Sequence, residues 1–156
     1  MAIESAMATE LSVIDVTGSD GSVVEQKWLA RAEPVHRQLR DGLPADYAGR
    51  LRAVFANGAR MSVATEAAAV RGVALWRVIE NTYEGRRLYV DDLVTDEAHR
   101  SRGIGRTLLQ HLEQHARNMH CDVLALDSGT QRTDAHRFYF REGLVIPAFC
   151  FRKDLK

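Results

Sequence analysis

The hydrophobic period of this chain changes near residue 103, and that change limits the fold more than any other feature. Before it, residues 60–65, 69–79 and 87–95 are rich in β-branched and aromatic side chains, with turn signals around Glu66 and Gly85. Their short connections predict an antiparallel meander. After it, Ile104, Leu108, Leu112 and Ala116 recur every four residues, and Leu109 and Met119 widen the stripe into the clearest helix of the chain. Val123–Leu126 follows as a wholly apolar run, the pattern of a strand buried on both faces. Strand, glycine-rich turn, helix, strand is a βαβ unit, so residues 87–95 and 123–126 are expected to run parallel.

The flanks add elements to this frame. Residues 11–16 alternate like a short strand, and residues 18–21 read as a turn. Residues 23–40 have helical character, interrupted at Pro34. Pro44 opens a second helix where its missing N–H costs nothing; Ala48, Leu51, Val54 and Phe55 form its stripe, and Gly58 its stop. A last helix is expected over residues 133–142, ending at Gly143, and two strands over 144–146 and 148–153 around Pro147. The fold class is α/β (α+β), one domain over residues 1–156 with a mixed, mostly antiparallel sheet flanked by helices. Trp28 and Trp76 read as core.

Charge and cysteine usage narrow the function classes. Lys+Arg and Asp+Glu each number 21, a formal net charge of +0, so no surface-wide field points to nucleic acid or membrane. Cys121 and Cys150 lack metal-ligand spacing and read as reduced thiols, with one disulfide as the alternative. The first ten residues carry Glu4 and Glu10 with no leader-like apolar stretch, and no run is long enough to span a bilayer, so a cytoplasmic protein is expected.

Arg100-Ser-Arg-Gly-Ile-Gly-Arg106 lies between the third meander strand and the long helix. Gly103 and Gly105 let the backbone approach a ligand, and a helix start offers unpaired N–H groups to phosphate. Arg100, Arg102 and Arg106 add positive charge where a diphosphate would lie. A dinucleotide fingerprint needs glycine where Leu108 stands, and antiparallel strands precede the loop; a P-loop needs Gly-Lys-Ser/Thr. Both fail.

The run from Leu93 to Gly105 resembles the acetyl-CoA loop of the GCN5-related N-acetyltransferase (GNAT) superfamily, whose signature is Arg/Gln-x-x-Gly-x-Gly/Ala after a strand. Ala135-His-Arg-Phe-Tyr-Phe-Arg-Glu-Gly143 is similar to that superfamily's Ala-x-x-Phe-Tyr-x-x-x-Gly segment. With the strand order, the resemblance covers roughly residues 60–153. It implies a single GNAT-like domain whose sheet is split beside the cofactor loop, with helices on both faces. It further implies that the backbone of Leu93, Val94 and Thr95 pairs with the pantetheine arm, and that N–H groups across Arg102, Gly103, Ile104, Gly105 and Arg106, after Arg100 and Ser101, hold the diphosphate. Arg132 stands where the superfamily commonly has an Asn touching pantetheine; a CoA phosphate is the other partner open to it.

Acetyl transfer to an amine requires a base for the amine, stabilisation of the oxyanion and a proton for the thiolate. Tyr139 matches the superfamily's general acid; its alternative is a half-buried helix aromatic between Phe138 and Phe140. Asp91 and Asp92 are unusual in a strand. Asp91 is expected to serve as base and Asp92 to orient substrate, but adjacent strand residues reach one cleft only across a bulge. The pair resembles the Glu-Asp of the spermidine/spermine acetyltransferase branch, whose first carboxylate matches Asp91. His111 and His115, four apart on the long helix, lack the Glu of a zinc protease and read as a solvated face, so no metal is expected; His99 and His136 also read as surface residues.

The expected activity is acetyl transfer from acetyl-CoA to a primary amine, on a small and cationic molecule, by direct transfer in a ternary complex. The acceptor is expected among the helices before Gly58 and the turn at residues 143–150. A protein lysine acetyltransferase and a non-catalytic acetyl-CoA-binding module are the alternatives. Members of the superfamily often dimerise, which leaves a homodimer open.

Overall fold

The computed structural model describes residues 10–156; the start of the chain, Glu4 included, lies outside the described residues. The chain divides into two compact units, one ending at Ala125 and one comprising Leu126–Lys156. The elements up to the division are β1 (Ser12–Asp15), α1 (Gln26–Leu39), α2 (Tyr47–Ala56), β2 (Arg60–Glu66), β3 (Ala69–Asn81), β4 (Gly85–Thr95), a 3-10 turn (Glu97–His99) and α3 (Ile104–Asn118). The division falls within β5 (Val123–Leu126). Among the described residues no helix is long and apolar enough to cross a membrane.

The sheet order is β1-β2-β3-β4-β5. β1 to β4 pair antiparallel, as the meander predicts. β5 differs. The Asp122 N–H, just before β5, donates to the Arg86 carbonyl at the start of β4 at 2.6 Å. Strands bonded start to start run parallel, so the sheet is mixed.

Alternation along the strands sorts the two faces. Met61, Val63, Val73, Leu75 and Val94 join Leu29 and Val35 of α1 and Leu51 and Phe55 of α2 in the main core. Gly72, one step out of phase with Val73, faces α3: a Cβ there would lie 2.8 Å from Ile104 Cγ2 and 2.8 Å from Leu108 Cδ1. Successive strand residues point to opposite faces, so α1 and α2 cover one face and α3 the other. Lacking a side chain, Gly72 lets the first turn of α3 rest on the sheet, and this sets the height of the loop that leads into it.

Some local expectations are corrected. α1 runs unbroken through Pro34. Proline forfeits the bond to the Ala30 carbonyl, but Trp28, Leu29, Ala32 and Val35 on both sides of it are buried, and each large apolar side chain stabilises by about 1.5–3 kcal/mol. α2 begins at Tyr47 rather than at Pro44, because the Asp46 carboxylate caps it by accepting the Gly49 N–H at 2.9 Å. β5 is half-buried along its length rather than buried on both faces.

The second unit carries α4 (Thr133–Arg141), followed by Gly143 as expected. The two strands expected beyond it do not form: residues 144–156 contain no strand, and Val145, Ile146, Phe149, Phe151 and Leu155 are exposed. β-propensity describes fit to a pleated neighbour, which this segment lacks among the described residues, and Pro147 withholds a donor.

Candidate active site

The site begins with a bulge. Trp76 pairs with Val90 and Leu75 with Asp92, so Asp91 is the extra residue of β4. Val90 and its partner Trp76 belong to the α3 face, where Trp76 stacks on His115. Across the bulge the alternation is broken, and both carboxylates turn to the α1–α2 face. Asp91 accepts Arg77 Nε at 2.8 Å, and Arg77 also donates to the Asn57 carbonyl at the end of α2. Asp92 accepts His36 Nε2 of α1 and Nε of Arg40, the residue just after α1, each at 2.7 Å. The bulge therefore puts both carboxylates on one face of the sheet.

The two carboxylates titrate in opposite directions. Burial pushes the Asp91 carboxyl above the usual carboxylate range, outweighing the Arg77 guanidinium. Burial alone would do the same to Asp92, but hydrogen bonds from His36 and Arg40 hold it below that range. Asp92 is 8% exposed and His36 1%. The other ring nitrogen of His36, Nδ1, lies 2.9 Å from the Tyr47 hydroxyl, so the ring bridges Tyr47 and Asp92. A cleft of about 580 Å³ opens beside this chain, lined by the end of α1, the connection to α2, and Arg50, Leu75 and Asp92.

The glycine loop is held from both sides. Asp96 donates its N–H to the Arg71 carbonyl of β3, and the Gln38 side chain of α1 brackets Asp96 and the Glu97 N–H. Ser101 (φ 63°) and Gly103 (φ 78°) then adopt left-handed backbone, which turns the chain into α3. Gly103 is the N-cap of α3 with no side-chain cap bond, so the first N–H groups of the helix point into the loop. Arg100, Arg102 and Arg106 are exposed, Leu93 and Thr95 are half-buried, and Val94 is buried.

In the second unit, Arg132 precedes α4 and Tyr139 lies in its last turns. Tyr139 is half-buried, packs against Phe138 with ring centroids 5.4 Å apart, and burial raises its phenol. His136 bonds the Gly129 carbonyl.

The model of the acetyltransferase (GNAT) family matches residues 27–143. The chain belongs to this family. It is 37% identical over 134 residues to the uncharacterized N-acetyltransferase YhdJ of Bacillus subtilis, covering 83% of this chain and 92% of that protein. A shorter match, 38% over 66 residues, spans 42% of this chain and 43% of the aminoalkylphosphonate N-acetyltransferase of Salmonella typhimurium. The aminoglycoside N-acetyltransferase AAC(6')-Iy, solved with CoA, has the same fold: TM-score 0.81 at 14% identity, over 97% of this chain and 99% of that one. The chain is thus an acetyl-CoA-dependent N-acetyltransferase of the GNAT family.

Sequence reasoning missed the α1 side of this candidate site. His36 occupies the buried stripe of α1 with Trp28, Leu29, Ala32 and Val35. A polar residue at core spacing was the available signal, and it needed Asp92 for a partner. The reading of His111 and His115 as a solvated face is corrected: both are half-buried and bonded to Asp15 of β1. His99 is likewise engaged, at 2.8 Å from Asp96. Cys121 and Cys150 are free thiols.

Proposed function

We propose that this chain transfers the acetyl group of acetyl-CoA to the primary amine of a small molecule by direct attack in a ternary complex, with Asp91 as base. The observation that carries the reading is the bulge, which turns Asp91 onto the acceptor face while burial raises its carboxyl. An alkyl amine near pKa 10.4 arrives protonated. Asp91, directly or through water, takes that proton; the nitrogen lone pair then attacks the thioester carbonyl, the C–S bond breaks, and the thiolate takes a proton. By motif, Tyr139 is the donor of that last proton. The Leu93, Val94 and Thr95 backbone pairs with the pantetheine arm, the N–H groups of loop 100–106 hold the diphosphate, and Arg132 reaches the cofactor. Asp92 is already bonded to His36 and Arg40, so it shapes the acceptor cleft instead of meeting the amine as a bare charge.

The cleft supports a small acceptor rather than a protein lysine, since about 580 Å³ is in the range of small-molecule sites. Its lining carries both signs. The Asp92 carboxylate, compensated by Arg40, favours a protonated amine without requiring a polycation. Arg50, exposed on the same cleft, favours an acceptor that also bears an anionic group. CoA release measured across polyamines, aminoglycosides, aminoalkylphosphonates and lysine peptides tests this. Turnover is expected with a small amine and to fall most at low pH in Asp91→Asn. A pH–rate profile unchanged by Asp91→Asn, or turnover confined to lysine peptides, would overturn the reading.

A further inference from the structure

The face opposite the acceptor cleft carries a second cluster with its own chemistry. Asp15 ends β1, and His111 and His115 stand one turn apart on α3. His111 Nε2 lies 2.9 Å from Asp15 Oδ1, His115 Nε2 lies 3.0 Å from Asp15 Oδ2, and the two Nε2 atoms are 3.1 Å apart. The two nitrogens and both oxygens of the carboxylate thus form a closed ring of donor atoms, with nitrogen–oxygen and nitrogen–nitrogen edges of 2.9–3.1 Å. A tetrahedral ion with bonds of about 2.0–2.1 Å has ligand–ligand edges of about 3.3 Å. An ion drawing on both nitrogens and one carboxylate oxygen meets all three residues after small side-chain shifts. Two imidazoles holding Nε2–H groups 3.1 Å apart repel each other, whereas a cation uses both lone pairs at once.

The surroundings hold the ligands in place. Ser62 Oγ, on the β2 residue paired with Asp15, donates to Asp15 Oδ1 at 2.6 Å, and Trp76 Nε1 donates to Ser62 Oγ at 3.1 Å. The Trp76 ring stacks on His115, centroids 4.9 Å apart. Such outer partners fix the ligand rotamers, as metal sites require. The two histidine side chains are 28% exposed and that of Asp15 is 37%, which leaves an entry path and a position for water. Two nitrogens and one carboxylate oxygen suit Zn²⁺ and its transition-metal neighbours rather than Mg²⁺ or Ca²⁺.

We infer that Asp15, His111 and His115 form a three-ligand site for Zn²⁺ or a similar divalent transition ion, clamping β1 to α3. It is separate from the cofactor loop: His111 lies eight residues beyond Gly103, about 12 Å along the helix. The test uses the full chain freed of any purification tag, treated with chelator, and titrated with ZnCl₂ and CoCl₂ at pH 7.5. Calorimetry is expected to show one Zn²⁺ per chain, Co²⁺ to give the visible absorption of a four-coordinate ion, and Zn²⁺ at a hundred times its Kd to raise Tm by about 5–10 °C. His111→Gln and His115→Gln each lose about a hundredfold or more in affinity, and Asp15→Asn about tenfold or more. His120→Asn, an exposed histidine in left-handed backbone at the end of α3, leaves binding unchanged. Circular dichroism confirms that each variant is folded; should one histidine variant unfold, the other carries the comparison. No Zn²⁺ binding below millimolar concentration, or equal binding in folded His111→Gln and His115→Gln, would overturn the site and reduce the cluster to an ion pair.

Discussion

Asp91 and Asp92 are neighbours with opposite energetic roles, and replacing each by asparagine separates them. Asp92 accepts His36 Nε2 at 2.7 Å and Arg40 Nη2 at 2.6 Å in an almost fully buried position. Asparagine keeps the volume and one oxygen, but its amide must face either the His36 N–H or the Arg40 guanidinium, donor against donor. Removing one partner of a buried pair costs about 3–5 kcal/mol. The Arg40 side chain is 51% exposed and turns part of its charge to water, which trims the loss to about 2–3 kcal/mol. For a chain of this size Tm should fall by about 4–12 °C. Asp91→Asn relieves a carboxylate that burial disfavours while surrendering the half-buried Arg77 pair, so its stability should stay within about 1 kcal/mol of the parent. The pH signs differ as well. The folded pKa of Asp92 is depressed, so its stabilisation is full above the unfolded value near 3.9 and is lost as pH falls through the lower folded value. The folded pKa of Asp91 is raised, so its carboxylate weakens the fold progressively as pH rises from the unfolded value through the folded one. Urea unfolding of both variants between pH 3 and pH 8, with kcat measured alongside, checks this. The assignment fails if Asp91→Asn loses as much stability as Asp92→Asn, or if Asp92→Asn melts within about 1 °C of the parent.

The cofactor side yields further expectations. Gly103→Glu meets no neighbouring atom at Cβ but carries left-handed backbone and a negative charge at the helix start; acetyl-CoA affinity by calorimetry should fall tenfold or more while the protein stays folded. Tyr139→Phe should lower kcat about a hundredfold with acetyl-CoA affinity nearly intact, whereas a kcat within about twofold would make Tyr139 a packing residue. Gly72→Ala presses a methyl against Ile104 and Leu108, so stability should drop by about 1–3 kcal/mol and KM for acetyl-CoA should rise as the first turn of α3 is lifted.

Legibility in the sequence followed the range of the interaction involved. The meander, α3 and its glycine loop were readable because period and turn chemistry are local: Ile104, Leu108, Leu112 and Ala116 are buried as their spacing requires. The same local reasoning erred at Pro34, where distributed burial outweighed one forfeited hydrogen bond. It erred again at residues 144–153, where β-prone side chains have no ladder to join. At the α2 boundary the Asp46 cap, which satisfies a real N–H, outranked Pro44, which only tolerates lacking one.

The site residues divide in the same way, and the division explains why the carboxylate pair was legible while its partners were not. Two aspartates inside a strand violate a local preference, so they stand out without knowledge of the fold. The bulge that turns both to one face depends on the register of β3 against β4, and His36 and Arg40 reach Asp92 from more than fifty positions away. The histidines of α3 make the complementary case. Four-residue spacing is equally common on solvated faces, and only the pairing of β1 with β2 sets Asp15 beside Ser62 and under both rings. A motif of two residues becomes chemically specific when the sheet supplies the third, so the histidine pair could not be read as more than a helix face until strand order was known.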